Sequence, residues 1–204
     1  MKPSLLLILL AGTLGLQAQN SAQKAVLEKY FFGLPVYGDY RDMIRTVDSS
    51  AIFKADSVTR TGTAHFHLAE NRAPSPFPEA TSVRFVSYQH IYRDARTGTI
   101  YDTANVITAV CRFNRSAAGA EARDLFYREV NKDIRHSFKC RLERIASDTL
   151  TVTHYTYGLG LPRPVVRVSK VYDRETLSYY VYITYDRRHN YELGNKSGPV
   201  IRTF

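Results

Sequence analysis

His65 and His67 stand two residues apart in TAHFHL, residues 63–68. On a strand such a pair projects from one face, so both imidazoles are offered to the same ligand. That spacing suits two metal ligands, but a zinc site needs at least one more protein ligand. Glu70, His90 and His154 carry suitable atoms, and nothing in the sequence fixes any of them beside the pair. The plain expectation is two partly exposed strand histidines. A metal-dependent enzyme built around them is the alternative.

Other chemistry is thinly marked. No G-x-S-x-G, H-E-x-x-H or P-loop pattern occurs. Gly158-Leu159-Gly160 runs into Pro162 and Pro164 rather than into a helix. A phosphate cradle needs free backbone N–H groups and a helix start, so this stretch reads as a turn. Glu121 and Asp124 share one helical segment and belong to its surface. No catalytic residue is assigned, no cofactor is expected, and the chain is not expected to be an enzyme. Cys111 and Cys140 each alternate with apolar neighbours, Ala109 and Phe113 for one and Phe138 and Leu142 for the other. Both thiols are therefore expected to face a core. A disulfide between them and two buried free thiols both fit that pattern.

The tyrosines are the strongest signal. Eight of fifteen lie between Tyr155 and Tyr191. In LSYYVYITYD (177–186), Leu177, Tyr179, Val181, Ile183 and Tyr185 alternate with Tyr180, Tyr182 and Thr184. The first set reads as core. The second would share a sheet face with Arg167 and Ser169, and with Tyr155 and Tyr157, if the neighbouring segments form a meander. Leu150 and Val152 would then turn to the opposite face with Val166 and Val168. Tyr155, Tyr157, Arg167, Tyr180 and Tyr182 are the expected ligand-binding set, because tyrosine and arginine together hold a sugar ring, a peptide or a polyanion. The competing reading is a set of cross-strand aromatic pairs that stiffen the sheet.

The ends and the charge limit what such a surface would meet. Lys2 precedes an apolar run from Leu5 to Leu16, too short to span a bilayer, with small and polar residues after it. Residues 1–18 therefore read as a signal peptide cut after Ala18, with no cysteine beyond the run to accept lipid. Residues 19–204 are expected to form one soluble domain, secreted or periplasmic, with no transmembrane segment after cleavage. The net charge is +9, and arginine supplies 20 of the 28 basic residues. Export makes nucleic acid an unexpected partner. An acidic polysaccharide, an envelope component or a protein fits the compartment. The expected function is an exported binding or accessory protein. The alternatives are a secreted hydrolase or metal-dependent enzyme near His65 and His67, and a structural subunit that self-associates.

These residues need elements to position them. Val26, Leu27, Tyr30 and Phe31 fall at helical spacing before Gly33 and Pro35, and Tyr40, Met43, Ile44 and Val47 form a second stripe. Strand-like alternation fills 52–68, 82–93 and 99–113, and three prolines make 69–81 a loop. Ser116 caps a long helix with a ridge of Ala118, Ala122, Phe126, Val130 and Ile134, Leu125 beside it, and an Asp124–Arg128 pair. Strands are expected again at 136–146, 149–157, 165–172 and 177–186. Segregated runs of helix and strand with short connections predict an α+β fold, helices on one face of a mostly antiparallel meander. IYRDARTGTIYD (91–102) and VYDRETLSYYVY (171–182) resemble one another as hairpins, which is compatible with two weakly similar halves.

Overall fold

Residues 21–31 form helix α1, and the way it ends shapes the core beside it. The Gly33 N–H donates to the Glu28 carbonyl at 2.9 Å, closing the last turn. Phe32 and Gly33 both take left-handed backbone, φ 54° and 72°. For phenylalanine that costs about 1–2 kcal/mol. The turn brings the Phe32 ring edge-on to Phe53 and Phe85. The computed structural model describes residues 21–36, 40–58, 62–69, 79–93, 96–156 and 165–187. The expected signal peptide, residues 1–18, lies outside them.

Helix α2 (Tyr40–Ser49) buries Tyr40, Met43 and Val47, as its stripe predicts. Helix α3 (Ala117–Ser137) starts where the Ser116 hydroxyl accepts from the Gly119 N–H at 3.0 Å. It buries Phe126, Tyr127, Val130 and Ile134. Leu125 is 48% exposed, because one residue back from Phe126 turns a side chain about 100° around the helix. Asp124 does not take up Arg128. Its carboxylate accepts from Arg123 at 2.9 Å and from Lys170 at 3.2 Å, a strand residue invisible to helical spacing.

Eight strands form one antiparallel sheet: β1 (Phe53–Val58), β2 (Thr63–Leu68), β3 (Ser82–Arg93), β4 (Ile100–Phe113), β5 (Lys139–Ser147), β6 (Leu150–Thr156), β7 (Val166–Asp173) and β8 (Ser178–Asp186). Their spatial order is β1-β2-β3-β4-β8-β7-β6-β5. Two four-stranded meanders, each preceded by helix, therefore meet along β4 and β8. The α+β expectation holds, and the two hairpins alike in sequence, β3–β4 and β7–β8, occupy equivalent places on either side of that seam. Both edge strands carry register shifts, at Ala55/Ser57 in β1 and at two points in β5. Bulges and exposed charges on an edge hinder pairing with another chain.

The buried cluster joins all three helices to one sheet face. Phe66 and Phe85 stack at 5.1 Å, and Phe53 stands edge-on to each at 5.7 Å. Each such pair adds about 0.5–1.5 kcal/mol to what area burial gives. Helix α1 is tied to α3 by Tyr30, whose hydroxyl donates to Asp133 at 2.8 Å, and by Gln23, whose amide donates to the Ser137 carbonyl at 2.9 Å.

Cys111 is a free, fully buried thiol on this face, its pKa pushed up by burial. Cys140 belongs to β5, an edge strand four positions from β4 in the sheet order. Four strand spacings are about 19 Å, far beyond the Cα separation of about 7 Å that a disulfide tolerates. The expected core direction of Cys111 is right, and the Cys111–Cys140 pairing is not compatible with this topology.

Candidate functional site

Cross-strand register assigns the candidate residues to faces. One unbroken row runs Lys54, His67, Arg84, Val110, Tyr182, Ser169, Val152, Arg144 across all eight strands. The row beside it includes His65, Val86, Thr108, Thr184, Arg167 and His154. A third holds Arg112, Tyr180, Val171 and Leu150. These rows form the face opposite the helices, and among the described residues no helix packs on it.

At its centre Tyr180 and Tyr182 stack, ring centroids 5.9 Å apart and 30° from parallel. Both rings are half-buried. Burial pushes the Tyr182 phenol pKa up, with Tyr180 and Asp173 adding to the shift. The Arg112 guanidinium donates to the Ser178 hydroxyl at 3.0 Å, which holds it beside its register partner Tyr180. The Thr108 and Thr184 hydroxyls bond at 3.0 Å across the central seam. Around this centre Lys54, Arg84, Arg144 and Arg167 are exposed, and among the described residues no carboxylate pairs with them.

The expected site is thus partly assembled. Tyr180, Tyr182 and Arg167 share the helix-free face. Tyr155 does not. It pairs in register with Val166, on the face where α3 lies, and is buried. Its hydroxyl donates to the Asn131 side-chain oxygen at 2.6 Å and the Asn131 carbonyl at 3.1 Å. Leu150 and Val152 take the helix-free face instead. The parity of β6 is reversed from the expected one because Thr153 and Tyr155 find polar partners on α3. Thr153 accepts or donates at 2.6 Å to the Tyr127 hydroxyl. Tyr157 lies outside the described residues.

His65 and His67 also stand on the helix-free face, as their spacing implies. His67 Nδ1 lies 2.7 Å from the Asp56 carboxylate, and His65 is exposed. His154 is five strands away from them in the sheet order. Glu70 lies outside the described residues, and among those described no three His, Cys, Asp or Glu side chains gather to hold a metal.

A feature that sequence reasoning missed is a pocket of about 520 Å³ on the other face, between α3 and the β5–β6 edge. Its helix wall is Tyr127, Arg128, Asn131, Lys132, Arg135 and His136, and its sheet wall is Glu143, Thr153 and Tyr155. The signal was present in the i, i+1, i+4, i+5 recurrence of residues with polar atoms along α3, on the flank of its apolar ridge. A second cleft of about 290 Å³ beside the first half of α3 is apolar at Phe113, Leu125 and Phe126, with Glu79, Glu121 and Glu129 around it.

Comparison with known protein families, with curated proteins and with solved structures finds no match to this chain.

Proposed function

We propose that this chain is an exported binding protein that captures an acidic protein on the helix-free face of its sheet. The observation that carries the reading is the Tyr180–Tyr182 stack, half-buried among Val110, Val152 and Val171 and ringed by basic side chains without carboxylate partners. Aromatic and arginine side chains dominate binding energy at protein interfaces, and charges at the rim steer a partner of opposite sign. A face spanning eight strands also offers the broad surface that a protein partner needs. Support for export comes from residues 1–18 of the sequence, and among the described residues no helix is long and apolar enough to cross a membrane. On this reading His65 and His67 belong to the rim of the surface.

The test is site-specific photocrosslinking in cells that express the protein. A benzophenone amino acid in place of Tyr182 should yield an adduct with one acidic protein, and the same group in place of Leu125 on α3 should not. Changing both Arg84→Glu and Arg167→Glu should remove the Tyr182 adduct while the circular dichroism spectrum is kept. Equal adducts from both positions, or none from Tyr182, would overturn the choice of face. An adduct with a second copy of the chain would replace the reading with self-association.

A further inference from the structure

We infer that the pocket between α3 and β5–β6 is a second binding site, built for an acidic sugar. It is separate from the helix-free face, because its walls are the opposite side of the sheet and the flank of α3.

Three cationic side chains, Arg128, Lys132 and Arg135, line it together with His136. Complementing the helix dipole accounts for basic residues in the last turn, where Arg135 and His136 lie. It does not account for Arg128 and Lys132, one to two turns earlier. Among the described residues none of the three cations forms an ion pair with a carboxylate. Three such cations facing one cavity repel one another, and an anion in the cavity relieves that repulsion.

The floor selects among anions. Tyr127, Thr153, Asn131 and Tyr155 are locked together by bonds of 2.6 to 3.1 Å, with the Asn131 amide donating to the Tyr127 carbonyl at 2.7 Å. Such a network holds the polar groups of the floor fixed against whatever enters. Glu143, the carboxylate in the lining among the described residues, sits 3.4 Å from the Tyr127 hydroxyl and forms no ion pair among them. A carboxylate in an anion site repels a densely charged ligand. It welcomes one whose charge is at one end and whose hydroxyls are at the other. A sugar carrying a carboxylate meets both demands, its charge toward α3 and its hydroxyls toward Glu143 and Thr153. The volume of about 520 Å³ is within the range of small-molecule sites and too large for a bare oxyanion.

Calorimetric titration with cellobiuronate, a disaccharide with one carboxylate, tests this, with cellobiose, inorganic sulfate and phosphatidylglycerol vesicles as the comparison ligands. Cellobiuronate should bind and the other three should not. Lys132→Ala and Arg135→Ala, both at exposed positions, should each weaken it about tenfold, and Glu143→Ala should weaken it too. Arg84→Ala, on the other face, should leave it unchanged, which separates this site from the one proposed above. No binding of cellobiuronate, equal binding of sulfate or vesicles, or equal loss with Arg84→Ala would overturn the proposal in favour of general attraction to a basic protein. A melting temperature held within experimental error in each variant keeps loss of binding distinct from loss of fold.

Discussion

The Tyr155 hydroxyl reaches from β6 to the flank of α3 and donates to the Asn131 side-chain oxygen at 2.6 Å. That bond ties β6 to α3 and fixes the floor of the pocket between them. Tyr155→Phe removes it and leaves a half-buried amide oxygen short of a donor. The expected cost is about 1–2 kcal/mol, read as a lower urea midpoint with unchanged slope. Tyr182→Phe provides the contrast. Among the described residues its hydroxyl has no hydrogen-bond partner, so the change should stay within about 0.5 kcal/mol. Equal losses for the two variants would contradict the assignment of Tyr155 to structure and Tyr182 to surface.

Gly119, at the start of α3, is held against the chain that precedes it. A Cβ there would stand 1.9 Å from the Asn114 carbonyl oxygen and 2.7 Å from its carbon, both backbone atoms that cannot rotate away. Gly119→Ala should therefore destabilise the protein by about 1–3 kcal/mol despite alanine's better helix propensity. Thermal denaturation measures it, and a stability equal to or above wild type would show that the β4–α3 connection yields freely.

How far the sequence foretold these sites depends on the kind of signal. The Tyr180/Tyr182 face was legible because β8 is central, flanked by β4 and β7, and one side of it carries Val181, Ile183 and Tyr185 without interruption. Strict alternation there leaves one solution for the register. Strand β6 offered no such constraint. Leu150 and Val152 point one way and Tyr155 the other, so apolar character alone gives two parities. The choice was made by α3, which presents Tyr127 and Asn131 to Thr153 and Tyr155. Polar partners from a distant helix leave no trace in local periodicity.

The same limit explains the cysteines. Alternation with Ala109 and Phe113 correctly turned Cys111 inward. Pairing it with Cys140 required knowing that β8, not β5, lies beside β4. The meander after α3 folds back so that its last strand, rather than its first, meets the earlier meander. Short connections specify antiparallel neighbours within each half and say nothing of which strand closes the seam. The pocket beneath α3 was hidden for a related reason. Its cations are readable as a helical stripe, but Glu143, Thr153 and Tyr155 become its other wall only through that topology.

Asp133 gives the protein a stability that depends on pH at both ends. The carboxylate is partly buried, which by itself raises its pKa, but hydrogen bonds from Lys29 and Tyr30 outweigh burial and hold it below the usual carboxylate value. A depressed folded-state pKa means that the stabilisation is present above the unfolded value of about 3.9. It is lost as pH falls through the folded value. Asp133→Asn should cost about 1 kcal/mol near neutrality, a figure held down by the partial exposure of the pair, and its deficit against wild type should shrink on acidification. Added salt should narrow the same gap by screening Lys29. At the alkaline end Tyr30 behaves in the opposite sense. Burial, then the bond to Asp133, push its pKa far above 10.0. Its contribution is intact below the unfolded value and lost as pH rises beyond it. Tyr30→Phe should therefore flatten the alkaline decline and shrink, without abolishing, the acid limb, which the Lys29 bond still supports. Denaturation midpoints followed across pH for wild type and the two variants measure both limbs. Profiles that stay parallel to wild type throughout would remove the Tyr30–Asp133 link between α1 and α3 from the account of stability.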